Sequence, residues 1–223
     1  MKIIDQSHEI MEITPNILQL IEKAGRTCYK SENKITDDSA SDFVKRIVKS
    51  MHHSVIEHGN ITVKFITDRG IMAELTRHRL ASYSIESSRY CNYSKKLFDG
   101  ITFIKPYWLP NLPTGLYHFN NHGTLVNNRP VDLVGENYNH IMFLKSVENR
   151  YNAIINKGYA AQAARSVLSN DTKTEIVMTC NVRELRHILK LRTSKQAHPQ
   201  IVALFNPLKK ELQEKYHDLF SDV

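Results

Sequence analysis

The spacing of apolar residues along this chain switches period, and that switching limits the possible folds more than any other feature. Residues 37–51 open on Asp37-Asp38-Ser39-Ala40-Ser41, a polar run able to cap a helix. Phe43, Val44, Ile47, Val48 and Met51 then follow at helical intervals. Residues 60–67 alternate instead, with Ile61, Val63 and Phe65 on one side and Thr62 and Lys64 on the other, as in a half-buried strand. Asp68-Arg69-Gly70 punctuates that strand, and helical spacing resumes over 71–78. A long helix is predicted over 132–156, with Leu133, Tyr138, Ile141, Leu144, Val147 and Tyr151 on its buried side and Gly158 ending it. Further helices are predicted over 160–168, 181–191 and 199–217, and a strand over 175–180. Residues 98–116 hold Pro106, Pro110, Pro113 and two glycines, and read as a loop or surface excursion with one short strand over 101–105. Helices outnumber strands, so the expected class is α+β. We expect one domain over 1–223, with a small central sheet surrounded by several long helices.

Composition narrows the setting. Hydrophobic residues at 41% and charged residues at 24% exclude a disordered chain, a collagen-like fibre and a coiled-coil rod. No apolar run approaches the roughly 20 residues that span a bilayer, so no membrane association is expected. The first residues lack a long apolar core before a small-residue cleavage site, so no secretory signal is expected. Cys28, Cys91 and Cys180 are far apart and form no CxxC pair, which suggests reduced thiols in a cytoplasmic protein. Each reads as a small hydrophobe in the core. The formal charge of +7 fits nucleic acid, nucleotides or an acidic surface without choosing among them.

The positive charge is clustered. Residues 77–90 pack Arg77, Arg79, Arg89, His78 and four serines into a stretch with little to bury. Arginine forks, serine hydroxyls and backbone N–H groups suit phosphate, though a solvated helix end and polar loop would look the same. A second cluster holds Arg165, Arg183, Arg186, His187, Lys190 and Arg192. Arg183, His187 and Lys190 fall at i, i+4 and i+7 and so share a helical face, which could hold a polyanion or simply be wet. His53 and Glu57 are separated by three residues, the wrong spacing for an HxxEH zinc site, and no metal is expected. The chain has no GxxxxGK[ST] phosphate loop, no GxGxxG turn and no GxSxG elbow. A nucleic-acid-binding module is disfavoured by the absence of an RNP-type aromatic pair, a KH GXXG loop and a zinc finger.

Arg77-His78-Arg79, seven residues, then Ser87 resembles the RHR-x7-S signature of the flavin-dependent thymidylate synthases, and the likeness continues through Ser88-Arg89-Tyr90 and Asn92-Tyr93. His53-Ser54-Val55-Ile56-Glu57-His58 upstream is similar to another segment of that family. Residues 181–187 and 191–199 downstream resemble its C-terminal motifs. The motifs occur in the family's order over residues 24–210, a match far more specific than a lone short motif.

The resemblance implies conversion of dUMP to dTMP, with methylenetetrahydrofolate as one-carbon donor and NADPH as reductant acting through FAD. It also implies a homotetramer with active sites shared between subunits, and reduced flavin as hydride source with no cysteine nucleophile. By the resemblance, Ser54, Arg77, His78, Arg79, Ile85, Asn181, Arg183 and His187 would contact FAD. Glu74, Arg77, Ile85, Glu86, Ser87, Ser88, Arg89, Arg165 and Arg192 would contact dUMP. Arg192 would polarise the uracil ring, where a fixed cation stabilises charge that builds during hydride transfer. Three positions depart from the pattern. Ile85 stands where many members carry Gln or Glu, Ser84 replaces an Asn seen in some, and His187 stands where others have Asn.

Overall fold

In chain order, the elements are β1 (Lys2–Ile4), β2 (Ser7–Ile13), α1 (Ile17–Thr27), α2 (Ser39–Lys49), β3 (Asn60–Asp68), α3 (Arg69–Leu75), β4 (Ala81–Ile85), β5 (Thr102–Ile104) and β6 (Gly115–Asn120). They continue with β7 (Gly123–Val126), β8 (Arg129–Val131), α4 (Gly135–Asn156), α5 (Ala161–Ala164), β9 (Lys173–Asn181), α6 (Val182–Arg192), α7 (Pro199–Lys215) and α8 (His217–Phe220). This is a computed structural model, and it describes residues 1–120 and 123–223. The α+β class expected from the periodicity holds. Among the described residues, no helix is long and apolar enough to cross a membrane.

Contacts divide the chain into two units. The first comprises Met1–Ser7, Ile66–Leu75 and Ile85–Ile176; the second comprises His8–Phe65, Thr76–Ser84 and Val177–Val223. The first is built on a sheet of order β5-β1-β6-β7-β8. In it β1 runs parallel to β5, with Ile3 opposite Phe103, and antiparallel to β6. Asn127 and Asn128, both in the left-handed region (φ 50° and 63°), turn β7 into β8, a conformation asparagine tolerates well. Helix α4 covers this core with Ile141, Leu144 and Tyr151, each fully buried. Tyr138 departs from expectation: it is exposed, and the buried stripe of α4 begins only at His140.

The proline-rich stretch over 98–116 needs correction. It carries the expected short strand, β5, but it is no surface excursion. Ile101, Phe103, Ile104, Leu109 and Leu112 are all buried in the first unit's core. Proline and glycine report chain reversals, and a segment that reverses often can still bury the apolar residues between its turns.

The second unit holds most of the sheet of order β2-β3-β9-β4, with residues 173–176 of β9 counted in the first. Strands β3 and β9 alternate strictly, burying Ile61, Val63 and Phe65 from one and Met178 and Cys180 from the other. Phe65 stacks on Phe205 of α7 with ring centroids 5.2 Å apart. Gly59 lets the chain approach α1 and α6 closely: a Cβ there would come within 2.6 Å of Ile17 Cδ1. The Val182 N–H donates to the Gly59 carbonyl at 2.9 Å, which ties the start of α6 to the segment carrying Ser54 and Glu57. Arg186 on α6 is buried. It donates to both carboxylate oxygens of Asp222, at 2.7 Å each, and to the Leu219 carbonyl, and so fastens the C-terminal turn.

Candidate active site

The expected site residues fall into two sets. Ser54, Arg77, His78, Arg79, Asn181, Arg183, His187 and Arg192 belong to the second unit. Glu74, Ile85, Glu86, Ser87, Ser88, Arg89 and Arg165 belong to the first.

Helix α6 organises the second-unit set. Asn181 caps it, its side-chain oxygen accepting from the Glu184 N–H at 2.9 Å. The helix that follows is amphipathic: Val182, Leu185, Ile188 and Leu189 are buried, while Arg183, His187 and Lys190 are exposed together, as their spacing predicts. Arg186, counted in the same basic cluster, also lines the cleft beside this helix, but it is buried and its guanidinium is engaged by Asp222. That cleft, of about 640 Å³, lies along the exposed face and is lined by Arg183, His187, Lys190, Asn181, His53 and Leu80 among others. Ser54 lines an adjoining cleft of about 500 Å³ that shares His53 and Arg183 with it. Arg183 is steadied by Glu57, its Nη1 donating to Oε1 at 2.6 Å.

The Arg77-His78-Arg79 triplet lies just beyond the end of α3. Arg77 and Arg79 are exposed, whereas His78 is 7% exposed. Arg192 Nε donates to His78 Nε2 at 2.9 Å. Burial, reinforced by Arg192, His187 and Arg77, pushes the His78 pKa down from 6.5 to about 4. His78 is therefore neutral at pH 7, and accepting at Nε2 places its proton on Nδ1. Nδ1 faces Glu184 Oε1 at 3.7 Å, so this contact is a dipole against a carboxylate rather than an ion pair. The Tyr83 hydroxyl donates to the His78 carbonyl at 3.0 Å, and burial, with Cys180 and Glu184 nearby, pushes its pKa up to about 12.

Within the first-unit set, residues 87–91 form a tight turn. The Ser87 carbonyl accepts from the N–H groups of Tyr90 and Cys91 at 3.1 and 2.9 Å. Ser88 is buried and accepts from Arg69 Nη1 at 3.3 Å. Arg89 and Arg165 are exposed, and Arg89 Nε donates to Gln162 Oε1 at 3.3 Å. Glu86 is engaged at both oxygens: Oε1 accepts from the Tyr93 hydroxyl at 2.8 Å and Oε2 from Lys173 Nζ at 2.7 Å. Ile85 is at the margin of exposure, 36%. Glu74 is half-buried on α3.

Sequence reading missed Lys173, Tyr93, Tyr83 and Glu184. Lys173 and Glu184 act through partners distant in the chain, whereas Tyr83 and Tyr93 reach back five and seven residues to His78 and Glu86 from inside the motif region, where nothing in their residue type marks a supporting role. The cysteines also need correction: Cys180 is buried as expected, but Cys91 is only half-buried and Cys28 is exposed at the end of α1, where its Sγ lies 3.8 Å from the Ala24 carbonyl oxygen.

Comparison with known proteins gives the geometry a context. The family model described as "Thymidylate synthase complementing protein" matches residues 9–216. A flavin-dependent thymidylate synthase of Mycobacterium bovis (strain BCG / Pasteur 1173P2) is 31% identical over 211 residues, 91% of this chain and 78% of that protein. A probable flavin-dependent thymidylate synthase of Mycobacterium phage L5 is 29% identical over 218 residues, 92% of this chain and 80% of that protein. Two solved structures share the fold. One is a flavin-dependent thymidylate synthase from Helicobacter pylori complexed with FAD and dUMP, with a TM-score of 0.71 at 24% identity over 97% of this chain and 98% of that one. The other is a UMP/dUMP methylase from Streptomyces cacaoi bound with 5-Br dUMP, with a TM-score of 0.73 at 22% identity over 99% and 96%.

Proposed function

The chain belongs to the family of flavin-dependent thymidylate synthases, and we propose that it converts dUMP to dTMP, with methylenetetrahydrofolate as one-carbon donor and NADPH as reductant acting through FAD. The observation that carries this reading is the α6 face. Three basic side chains one turn apart border a cleft of about 640 Å³, and the Arg77–Arg79 turn is tied to the same helix through His78 and Arg192.

These residues fit a dinucleotide flavin. Arg183 and Lys190 offer positive charge to a pyrophosphate, and the α6 N-terminus adds its own partial charge. Leu80, 75% exposed on the cleft wall, offers an apolar surface to a ring. Ser54, Asn181, Arg183 and His187 would hold the flavin with Arg77, His78 and Arg79. When bound and reduced, that cofactor supplies the hydride. Neutral His78 orients Arg192 by accepting from its Nε, which a protonated imidazole could not do. Arg192 so fixed stabilises negative charge developing on the uracil ring. In the first unit, Ser87, Ser88, Arg89 and Arg165 would hold the dUMP phosphate, with Glu74, Ile85 and Glu86 beside the nucleoside.

By this reading a thiolate nucleophile is not required, and Cys180 and Cys91 are poorly suited to the role. Burial, with Glu184 nearby, pushes the Cys180 pKa up to about 12, and burial also raises that of Cys91. We read the whole chain as one functional domain of a cytoplasmic homotetramer whose sites draw on neighbouring subunits. Large apolar side chains exposed beside the motif, Tyr90 at 77% and Leu97 at 86%, support burial between chains.

The test is a dUMP titration of the FAD-reconstituted protein followed through flavin absorbance, with anaerobic NADPH added afterwards. Saturable perturbation by dUMP, then bleaching, is the expected result. A protein that cannot be reconstituted with FAD, or whose flavin ignores dUMP, would overturn the reading.

A further inference from the structure

We propose that Lys173 is a positioning residue for the nucleotide: it tethers the loop carrying Glu86 to Arg89 onto β9 and so presets the phosphate-gripping turn. This deepens the proposed function and rests on it.

The tether has several independent anchors, all within the first unit. Lys173 Nζ sits 2.7 Å from Glu86 Oε2 and 2.5 Å from Glu175 Oε1, bridging a loop residue and a strand residue. The Glu86 N–H donates to the Glu175 carbonyl at 2.8 Å, so the loop is bound to β9 by backbone as well as side chain. Tyr93, on the far side of the Ser87 turn, donates its hydroxyl to the other Glu86 oxygen at 2.8 Å. Glu86 is thereby held from both ends of the loop. Lys173 and Glu86 are only 18% and 13% exposed, so the pair is weakly screened and geometrically confined.

The charge balance adds a second role. One lysine faces two carboxylates. Burial is the largest single influence and opposes its charge, but the hydrogen bonds it donates to Glu175 and Glu86, together with their negative charges, outweigh burial and hold its pKa above the ordinary lysine value. Without the ammonium, two carboxylates would be left facing each other immediately before Ser87. Like charges at that distance repel, and the field there would oppose an incoming phosphate dianion. Of the residues assigned to the flavin, Ile85 adjoins the tethered loop, whereas Ser54, Arg77, His78, Arg79, Asn181, Arg183 and His187 lie on other segments. The separation is what makes the idea testable.

The experiment compares the wild type, Lys173→Met and Lys173→Arg, each loaded with FAD. Two quantities are read: dUMP affinity from the flavin absorbance titration, and KM and kcat for dTMP formation. For Lys173→Met we expect KM and Kd for dUMP to rise roughly 10- to 100-fold, the range typical of a buried charge left unpaired. FAD content and kcat at saturating dUMP should stay within about threefold. Lys173→Arg keeps the cation and should recover most of the lost affinity. If Lys173→Met does not accumulate as folded protein, Tyr93→Phe removes the anchor on the other Glu86 oxygen without altering any charge, and should raise KM in the same direction. Unchanged dUMP affinity in a folded, flavin-loaded variant overturns the tether. So does a loss confined to kcat, or an Arg variant as impaired as the Met variant. A wild-type protein whose flavin does not respond to dUMP at all overturns the functional reading instead.

Discussion

Acidification should uncouple His78 from the fold in a measurable way. His78 is buried, accepts from Arg192, and is surrounded by Arg192, His187 and Arg77. Its pKa falls from 6.5, the value it regains on unfolding, to about 4 in the native state. Between those two values the unfolded chain binds the proton and the native state refuses it, so stability rises with pH across that window. The contribution is complete above about pH 6.5 and lost as pH falls toward 4. At about 1.4 kcal/mol per pH unit, a drop from 6.5 to about 4 corresponds to about 3 kcal/mol, an appreciable share of the 5–15 kcal/mol typical of a domain. His53 and His140 are also pushed down by burial and would add slopes of their own. The measurement is therefore a difference. Urea unfolding of the ligand-free protein is followed by circular dichroism from pH 4 to 7.5, for wild type and for His78→Gln, which keeps an acceptor for Arg192 but cannot titrate. The wild type should lose about 3 kcal/mol relative to His78→Gln as pH falls from 6.5 to 4. Parallel curves across that range would refute the account of a His78 kept neutral by burial and by the arginines beside it.

Two further outcomes are expected. Arg192→Ala should retain flavin but lose turnover by roughly 10²- to 10³-fold in kcat, the scale for removing a preorganised electrostatic group; single-turnover flavin oxidation in the presence of dUMP and folate measures it, and wild-type rates would remove its role. Asn181→Ala should lower stability by about 1 kcal/mol through loss of the α6 cap. It should also weaken FAD binding, read by the midpoint of urea unfolding with and without FAD.

Where periodicity was strong, the elements could be read directly from the chain. The alternation that marks β3 and the i, i+4, i+7 basic face of α6 both appear where expected, because each records burial on one side and solvent on the other. Strand β4 was hidden. Its Ser82-Tyr83-Ser84 looks like polar loop, yet the sheet order places it beside β9 at an edge, where polar side chains are tolerated. The β6–β8 meander was also missed; its clearest signal was the Asn127-Asn128 pair that forms the turn. For the site, the arginines and serines of the motif were legible as residue types suited to phosphate. What they lean on was not. Lys173 lies 87 residues from Glu86, and Glu184 lies 106 residues from His78. Pairs of that kind are created by topology, and no local pattern announces them.

Strand β4 bears on how the motif tolerates change. Seven residues separate Arg79 from Ser87, and five of them, Ala81–Ile85, are the strand itself. At about 3.3 Å per residue, the spacing is a measured length of roughly 16 Å of extended chain. A substitution within it alters one side chain. A single insertion or deletion would shift everything beyond it by one residue's rise and turn each following side chain to the opposite face, while breaking the register that brings the Glu86 N–H to Glu175. Loss or gain of one residue here should therefore be far more damaging than any exchange of polar residues within it, and variation among working versions of this strand should be confined to composition.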